Sequence, residues 1–334
     1  MSAVTEVTTG SAPVASQRRT SSWSGFLARR LVRLVVSLWA LVTFAFLIVQ
    51  LVPGDPVRAS LGVDAPAELV AARRAELGLD DALITQYLRF MGHLLSGDLG
   101  NSLAAQLPVS QVIGDRLPNT LALALPAFGV VVLIAVPLGV AMAVLTANGR
   151  RRGVELSFTS TAVVIAAIPE FLLAVGLVYV FAVSTDLLPI AGMSGPAAYV
   201  LPVAALALGP AAALARIVRV ETLTVLGQDY IRTARAKRLR ARRIHLRHAL
   251  PNALTATLTL AGLLLSSLIA GAVVVESVFV WPGLGPTMVK SIIDKDYPLI
   301  QGIVLVYGSL VLLINLVVDV ALSIADPRST IREA

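Results

Sequence analysis

Apolar and polar residues alternate along this chain in blocks. Six apolar blocks reach the roughly 20 residues that a helix needs to cross a bilayer: 34–52, 120–145, 160–183, 199–220, 254–275 and 299–324. The first follows Arg29, Arg30 and Arg33 and runs straight into Pro53-Gly54-Asp55-Pro56 with no small-residue cleavage site, so it reads as a retained membrane helix rather than a signal peptide. Pro126 and Pro137 fall in the second block, Pro169 in the third, Pro202 and Pro210 in the fourth. Proline removes a backbone donor and kinks a helix, so these positions predict kinks in a bundle around a changeable pathway. The fold class expected is all-α, a polytopic membrane protein with six transmembrane helices.

The polar blocks divide the chain further. Residues 1–28 are rich in Ser, Thr, Val and Ala without apolar periodicity and read as a disordered tail. The first transmembrane helix takes 29–52, a loop region 53–118, a membrane core 119–325, and a short tail 326–334. Within 53–118, the one sizeable stretch that looks water-soluble, residues 65–77 have helical composition. Residues 80–95 place Leu83, Tyr87, Phe90, Met91 and Leu94 at helical spacing.

The polar stretch 228–254, between the fourth and fifth blocks, is too polar to span a membrane. Asp229 can cap a short helix whose Tyr230, Ile231 and Ala234 share one face, with Arg232 and Arg235 elsewhere. Lys237, Arg238, Arg240, Arg242 and Arg243 then follow where a helix C-terminus favours positive charge. Such a helix offers a small face for docking and a basic rim for water or lipid phosphates.

Charge decides the orientation. Connections after the second and fourth blocks hold Arg150, Arg151, Arg152 and the ten Lys/Arg from Arg216 to Arg247, whereas those after the third and fifth hold only Lys290 and Lys295 beside Asp186, Glu276, Asp294 and Asp296. By the positive-inside rule the Arg-rich connections and both termini face the cytoplasm, and 53–118 lies outside. The sequence pI of about 10.2 is therefore a topology signal and does not point to nucleic acid. Composition agrees: 57% hydrophobic and 14% charged residues exclude an ordinary soluble domain, which carries about 25% charge. With no cysteine, disulfides and thiolate metal sites are excluded.

Catalytic chemistry is nearly absent. No G-x-x-x-x-G-K-[ST] phosphate loop occurs, so ATP hydrolysis by this chain alone is not expected. His245 and His248 lie in cationic surroundings without a third ligand type, and no metal site is expected. Glu170 and Asp319 sit in apolar blocks, where a charge must face protein or a wet cavity. Glu170, after Pro169, either lines a passage that meets a cationic substrate group or pairs within the bundle. Asp319, near the end of its block, reads as a structural cap or interface contact.

Several of these stretches resemble one family. Asp229-Tyr230-Ile231-Arg232-Thr233-Ala234-Arg235-Ala236-Lys237, with Arg247-His248-Ala249-Leu250 and Asn252-Ala253, is similar to the "EAA" loop of binding-protein-dependent ABC importer permeases, nearest the B-type permease of the dipeptide/oligopeptide/nickel group. Arg238 stands where that family usually has glycine, which bears on the sharpness of the bend. The phrases LVPGDP, ELGLDDALITQYLRF and SGDLGNS resemble the same group, as do Glu276, Phe279, Trp281-Pro282-Gly283-Leu284-Gly285, Asp296-Tyr297-Pro298-Leu299 and Asp326-Pro327-Arg328.

The resemblance implies a type I importer permease in the bacterial inner membrane. Residues 221–253 would form the coupling loop that fits an ATPase cleft, with Asp229, Tyr230, Ile231, Thr233, Ala234, Arg235, Ala236, Lys237 and Arg238 as the docking residues. Trp281, Pro282, Gly283, Leu284, Gly285, Asp296 and Tyr297 would form the outer gate or binding-protein side. Partners implied are a second, homologous permease, two ATPase subunits that hold ATP and Mg, and an extracytoplasmic substrate-binding protein; the chain itself holds no cofactor. Physically, Trp281 and Tyr297 suit a membrane interface, and Pro282, Gly283 and Gly285 permit a re-entrant turn. Small peptides lead as cargo, with nickel complexes, glutathione or another small solute as alternatives. A secondary carrier or a membrane enzyme is a remoter reading.

Overall fold

The computed structural model describes residues 23–51, 55–62, 64–149 and 151–325; the expectations for the N-terminal tail up to residue 22, for Pro53-Gly54, for Arg150 and for Asp326-Pro327-Arg328 lie outside them. The described residues are helical with no named strand. In chain order the helices are α1 (Trp23–Leu51), α2 (Pro56–Leu61), α3 (Ala67–Glu76), α4 (Leu83–Leu95), α5 (Val109–Thr146), α6 (Arg152–Ala167), α7 (Glu170–Val178), α8 (Val200–Leu226), α9 (Asp229–Ala236), α10 (Ala241–Arg243), α11 (Leu250–Val278), α12 (Leu284–Ile293) and α13 (Tyr297–Ala325). Among the described residues, five segments are long and apolar enough to cross a membrane: Ala28–Gln50, Val109–Thr146, Pro196–Leu226, Leu260–Val278 and Tyr297–Ala321.

The third apolar block is not one straight helix. It is a pair, Arg152–Ala167 and Glu170–Ser184, bent by 92°. The cause is local. A residue before proline is pushed out of the helical region, and Ile168 is extended at φ −73°, ψ 123°, followed by Pro169 at φ −57°, ψ 139°. The other prolines do not interrupt their helices. Pro118, Pro126 and Pro137 all lie within the unbroken α5, Pro210 within α8, and Pro202 in the first turn of α8, where little is lost.

Helix α5 begins eleven residues ahead of the apolar block that announced it and counts 38 residues. At 1.5 Å per residue it is about 57 Å long, so it extends beyond a hydrocarbon layer of about 30 Å. It packs most closely on α8. A Cβ on Gly139 would come within 2.6 Å of the Ala215 carbonyl oxygen and of Val218, so only glycine permits this approach. Around the contact Leu123, Ala127, Val131 and Ala135 of α5 join Ala205, Leu206, Ala211, Leu214, Ala215 and Val218 of α8 and Leu268, Ala272 and Val275 of α11 in the main core. Helix α1 lies at the outside against α13, where Arg30 pairs with Asp319, so that charge in the last span meets a counter-charge from the first.

Two polar ties fix the ends of the bundle. At the basic end the buried Arg219 of α8 reaches Glu155 of α6 at 2.7 Å and donates to the Thr146 hydroxyl at 3.1 and 3.0 Å. At the other end lies the region 55–108, which is not a separate soluble body. Asp55 caps α2 by accepting from Val57 N at 2.9 Å and pairs with Arg74 at 3.2 Å. Helix α4 packs on α1: Phe46 meets Tyr87 edge-on at 5.3 Å, and the Tyr87 and Thr43 hydroxyls are 2.9 Å apart.

Candidate functional site

The loop at the basic end is built from an apolar kernel outward. Helix α8 stops at Gly227, whose N–H turns back to the carbonyls of Leu223 and Thr224. Gln228, extended at φ −71° and ψ 152°, occupies the cap position; Asp229 does not cap but is the first helical residue. Its exposed carboxylate lies 3.3 Å from Arg232, and its carbonyl accepts the Thr233 hydroxyl at 3.0 Å. Ile231 and Ala234 are buried against Leu226, Ile244 and Ala249.

This revises the face expected to dock. Ile231 and Ala234 point into the chain's own core, while Asp229, Tyr230, Arg232, Thr233, Arg235, Ala236, Lys237 and Arg238 are exposed. The sequence placed Tyr230, Ile231 and Ala234 together by helical spacing. Spacing groups residues on a face but cannot say whether the face turns inward or outward.

The bend after α9 is made in spite of the missing glycine. Arg238 adopts φ +54°. Its N–H bonds to the Arg235 carbonyl at 2.9 Å, and Leu239 N–H bonds to that of Ala234 at 3.3 Å. This pair closes the helix in the Schellman pattern, with Leu239 packed on the same apolar kernel. A left-handed conformation costs a side chain about 1–2 kcal/mol, so the bend survives at a price in stability. Beyond it, residues 244–249 widen into a π turn before Pro251, whose ring would collide with a normal α turn. Burial, and then the nearby Arg235, push the His245 imidazole below its ordinary value. His245 and His248 belong to no group of three or more metal-ligating residues among those described.

The opposite end is a hairpin between α11 and α12. Val280 takes φ +50°, with Trp281 N–H on the Glu276 carbonyl at 2.8 Å, which ends α11 in the same left-handed fashion. Trp281 is 1% exposed and is not an interface anchor: its Nε1 donates to the Asn119 carbonyl at 2.9 Å, and Tyr199 stacks edge-on at 4.7 Å. Asn119 in turn donates to the Pro282 carbonyl at 2.9 Å.

Helix α12 starts with buried backbone donors that lack partners within the helix, and two buried side chains satisfy them. Thr120 accepts from Leu284 N at 2.9 Å, and the Glu276 carboxylate accepts from Gly285 N at 2.7 Å. A negative group suits a helix N-terminus, which explains a buried carboxylate here. The glycines were expected to supply turn freedom. Instead, Gly283 is extended at φ −96° and ψ −168°, and a Cβ on it would collide with the Glu276 carboxylate. A Cβ on Gly285 would come within 2.6 Å of the Val273 backbone and 2.8 Å of Glu276 Oε2. Their role is close approach.

After α12, Lys295 at φ +54° closes the helix, and Asp296 is buried at the start of α13. Its carboxylate accepts from the Ser102 hydroxyl, from Leu103 N at 3.1 Å, Ala104 N at 3.2 Å and Leu299 N at 3.4 Å. Tyr297 is likewise buried and not at a lipid interface. Trp281, Pro282, Gly283, Leu284 and Gly285 thus form one assembly with Glu276, Asn119 and Thr120, and Asp296 and Tyr297 anchor its far end. Glu170 stands apart, half-buried just after the break in the bent pair, with its carboxylate against Gly271 of α11. The tie between Arg219, Glu155 and Thr146 escaped the sequence reading, where Arg219 counted only as one of ten basic residues. A charged residue seven positions inside a helix that ends at Leu226 was the available signal.

Comparison with known proteins agrees with this arrangement. The model of the binding-protein-dependent transport system inner membrane component matches residues 135–331, and that of the N-terminal part of the membrane component of such systems matches residues 24–124. A putative peptide transport system permease protein of Brucella suis is 37% identical over 91% of this chain and 98% of its own. A glutathione transport system permease protein of Salmonella paratyphi A is 38% identical over 90% of this chain and 97% of its own. Among solved structures, an inward-facing methionine ABC transporter, MetNI, shares the fold with TM-score 0.55 and 21% identity over 65% of this chain and 97% of that one. Long apolar helices, the basic loop, the buried hairpin and these matches together place the chain in the family of binding-protein-dependent transport system inner membrane components, the multi-span permease subunits of ABC importers.

Proposed function

We propose that this permease carries short peptides into the cell, as one of two translocation subunits in the inner membrane, driven by ATP hydrolysis in partner ATPases. Permeases of this family work with ATPase subunits and a substrate-binding protein. The cargo rests on the relatives: one is named for peptides, the other for glutathione, itself a tripeptide. The basic end faces the cytoplasm with both termini, following the excess of Lys and Arg there. ATP and Mg bind in the ATPases. The second permease is a distinct homologous chain.

The observation that carries the coupling role is α9: a short helix, seated by Ile231 and Ala234, that turns Tyr230, Thr233, Ala236 and Lys237 outward between two spans. When the ATPases close on ATP, they would push this seated helix, and α8 and α11 would move with it because they flank it in the chain. The hairpin around Trp281 sits at the outer end, where the binding protein delivers substrate.

The test is peptide-stimulated ATP hydrolysis and uptake by the complex that co-purifies with this chain, reconstituted in lipid with its binding protein. Ala236→Glu places charge on the outward face without entering the kernel. It is expected to leave insertion intact and to lower coupled uptake on the order of tenfold, equivalent to about 1.4 kcal/mol of lost docking. Normal uptake in that variant would overturn the assignment of α9 to the ATPase contact. Stimulation by solutes other than peptides, with none by peptides, would overturn the cargo.

A further inference from the structure

We propose that α4, in the region that looked water-soluble, is an interfacial helix whose outer stripe of Ile84, Leu88 and Leu95 lies among lipid acyl chains. The leaflet is the one at the end opposite the basic loops. The inference needs only the spans and does not depend on what is transported.

Depth is the first argument. Phe90, Met91 and Leu94 pack on a buried cluster of Val42, Ala45 and Leu305. Val42 and Ala45 lie inside the span Ala28–Gln50, and Leu305 inside the span Tyr297–Ala321. At 1.5 Å per residue, these three sit about 8–12 Å from the corresponding span ends. The span Ala28–Gln50 has 23 residues, about 34 Å of helix, against about 30 Å of hydrocarbon. A helix packed at that depth is beneath the level where the hydrocarbon begins.

The second argument is how α4 distributes its residues. Tyr87, Phe90, Met91 and Leu94 face the protein. Next to them, at helical spacing, Ile84, Leu88 and Leu95 are 65%, 63% and 83% exposed. The polar residues Gln86, Arg89 and His93 fall on another face and border a cavity of about 530 Å³ between α4, α3, the end of α1 and the start of α13. Arg89 is paired there with Asp81, and His93 with Asp98. An apolar arc flanked by a polar edge is the pattern of a helix lying in a membrane surface.

Continuity identifies the occupant. Phe44 and Leu47 on α1 are exposed apolar residues of the same span that carries Phe46 and Thr43, the contacts of α4. The stripe on α4 therefore extends a surface that is already directed at lipid.

The chain has no cysteine, so single cysteines at Ile84, Leu88 and Leu95 can each carry a nitroxide in the full chain, alone and in its assembled complex, in phospholipid vesicles. Collision with oxygen, which partitions into lipid, is compared with collision with a water-soluble nickel chelate. Leu47 on α1 serves as the lipid control and Glu68 on α3 as the aqueous one. The expected result is oxygen exceeding nickel severalfold at the three α4 sites, as at Leu47, with Glu68 reversed. Nickel exceeding oxygen at all three would return α4 to water and overturn the proposal. Exclusion of both reagents in the complex would assign the stripe to a protein partner and overturn it equally. Three independent sites guard against one label disturbing the helix.

Discussion

The two ends of the bundle close their helices with the same device and hold it in opposite ways. Arg238 at the basic end, and Val280 and Lys295 at the other, each take a left-handed conformation without being glycine. At the basic end the turn is kept by contacts among Leu226, Ile231, Ala234, Leu239, Ile244 and Ala249, all from one connected stretch. At the opposite end it is kept by directional bonds from Asn119, Thr120, Glu276 and Asp296, which reach between helices. Apolar contact tolerates small displacements, whereas an unmade buried hydrogen bond costs free energy. The loop can shift as a unit with its neighbours; the hairpin must stay closed or break several bonds together.

The strongest way to test that contrast is to remove Asp296. Asp296→Ala strands three backbone donors and the Ser102 hydroxyl, for an expected loss of about 3 kcal/mol or more. The purified chain should melt several degrees lower, while Asp294→Ala, on the same turn, leaves the melting temperature in place. Ala234→Glu is the counterpart at the basic end. It forces a charge into the apolar kernel, at a cost of about 3 kcal/mol, and should expose the 228–249 loop to limited proteolysis. The comparison fails if that variant stays as protease-resistant as Ala236→Glu.

Gly283→Ala is expected to cost about 1–3 kcal/mol by overpacking. Because the nearest atoms all belong to Glu276, adding Glu276→Ala should cancel most of the extra cost, read from melting temperatures in a double-mutant cycle. Gly285→Ala should resist that rescue, since the Val273 backbone also stands in its way. A smaller effect has the opposite sign: Arg238→Gly relieves the left-handed bend and should stabilise the loop by about 1 kcal/mol, seen as slower amide exchange over 229–239.

The smallest effect is that of pH. His245 has a depressed affinity for protons in the fold, so the unfolded loop binds a proton first as pH falls through the ordinary imidazole value of 6.5. The loop should be most stable above that value and loosen below it. His245→Gln should flatten the dependence of its amide exchange on pH.

The sequence made the spans legible because an apolar run long enough for a bilayer has few other uses. It made the loop legible through its polarity between two such runs. It could not separate Pro169, which breaks its helix, from Pro126 and Pro137, which do not, because the residue type is the same and the surroundings decide. The burial of Trp281 was hidden for a related reason. An aromatic ring suits an interface or a core, and only the distant Asn119 and Tyr199 settle which. The pairing of Arg219 with Glu155 and the depth of α4 likewise depend on contacts between residues far apart in the chain.

Helix α5 joins the two ends directly. Asn119 and Thr120 hold the hairpin, and Thr146 receives Arg219 at the basic end, roughly 40 Å away along one unbroken helix. A displacement at one end of a continuous helix reaches the other end without crossing a loop. With α8 packed along it through Gly139, the hairpin and the basic end of this permease are joined through one closely packed pair of helices.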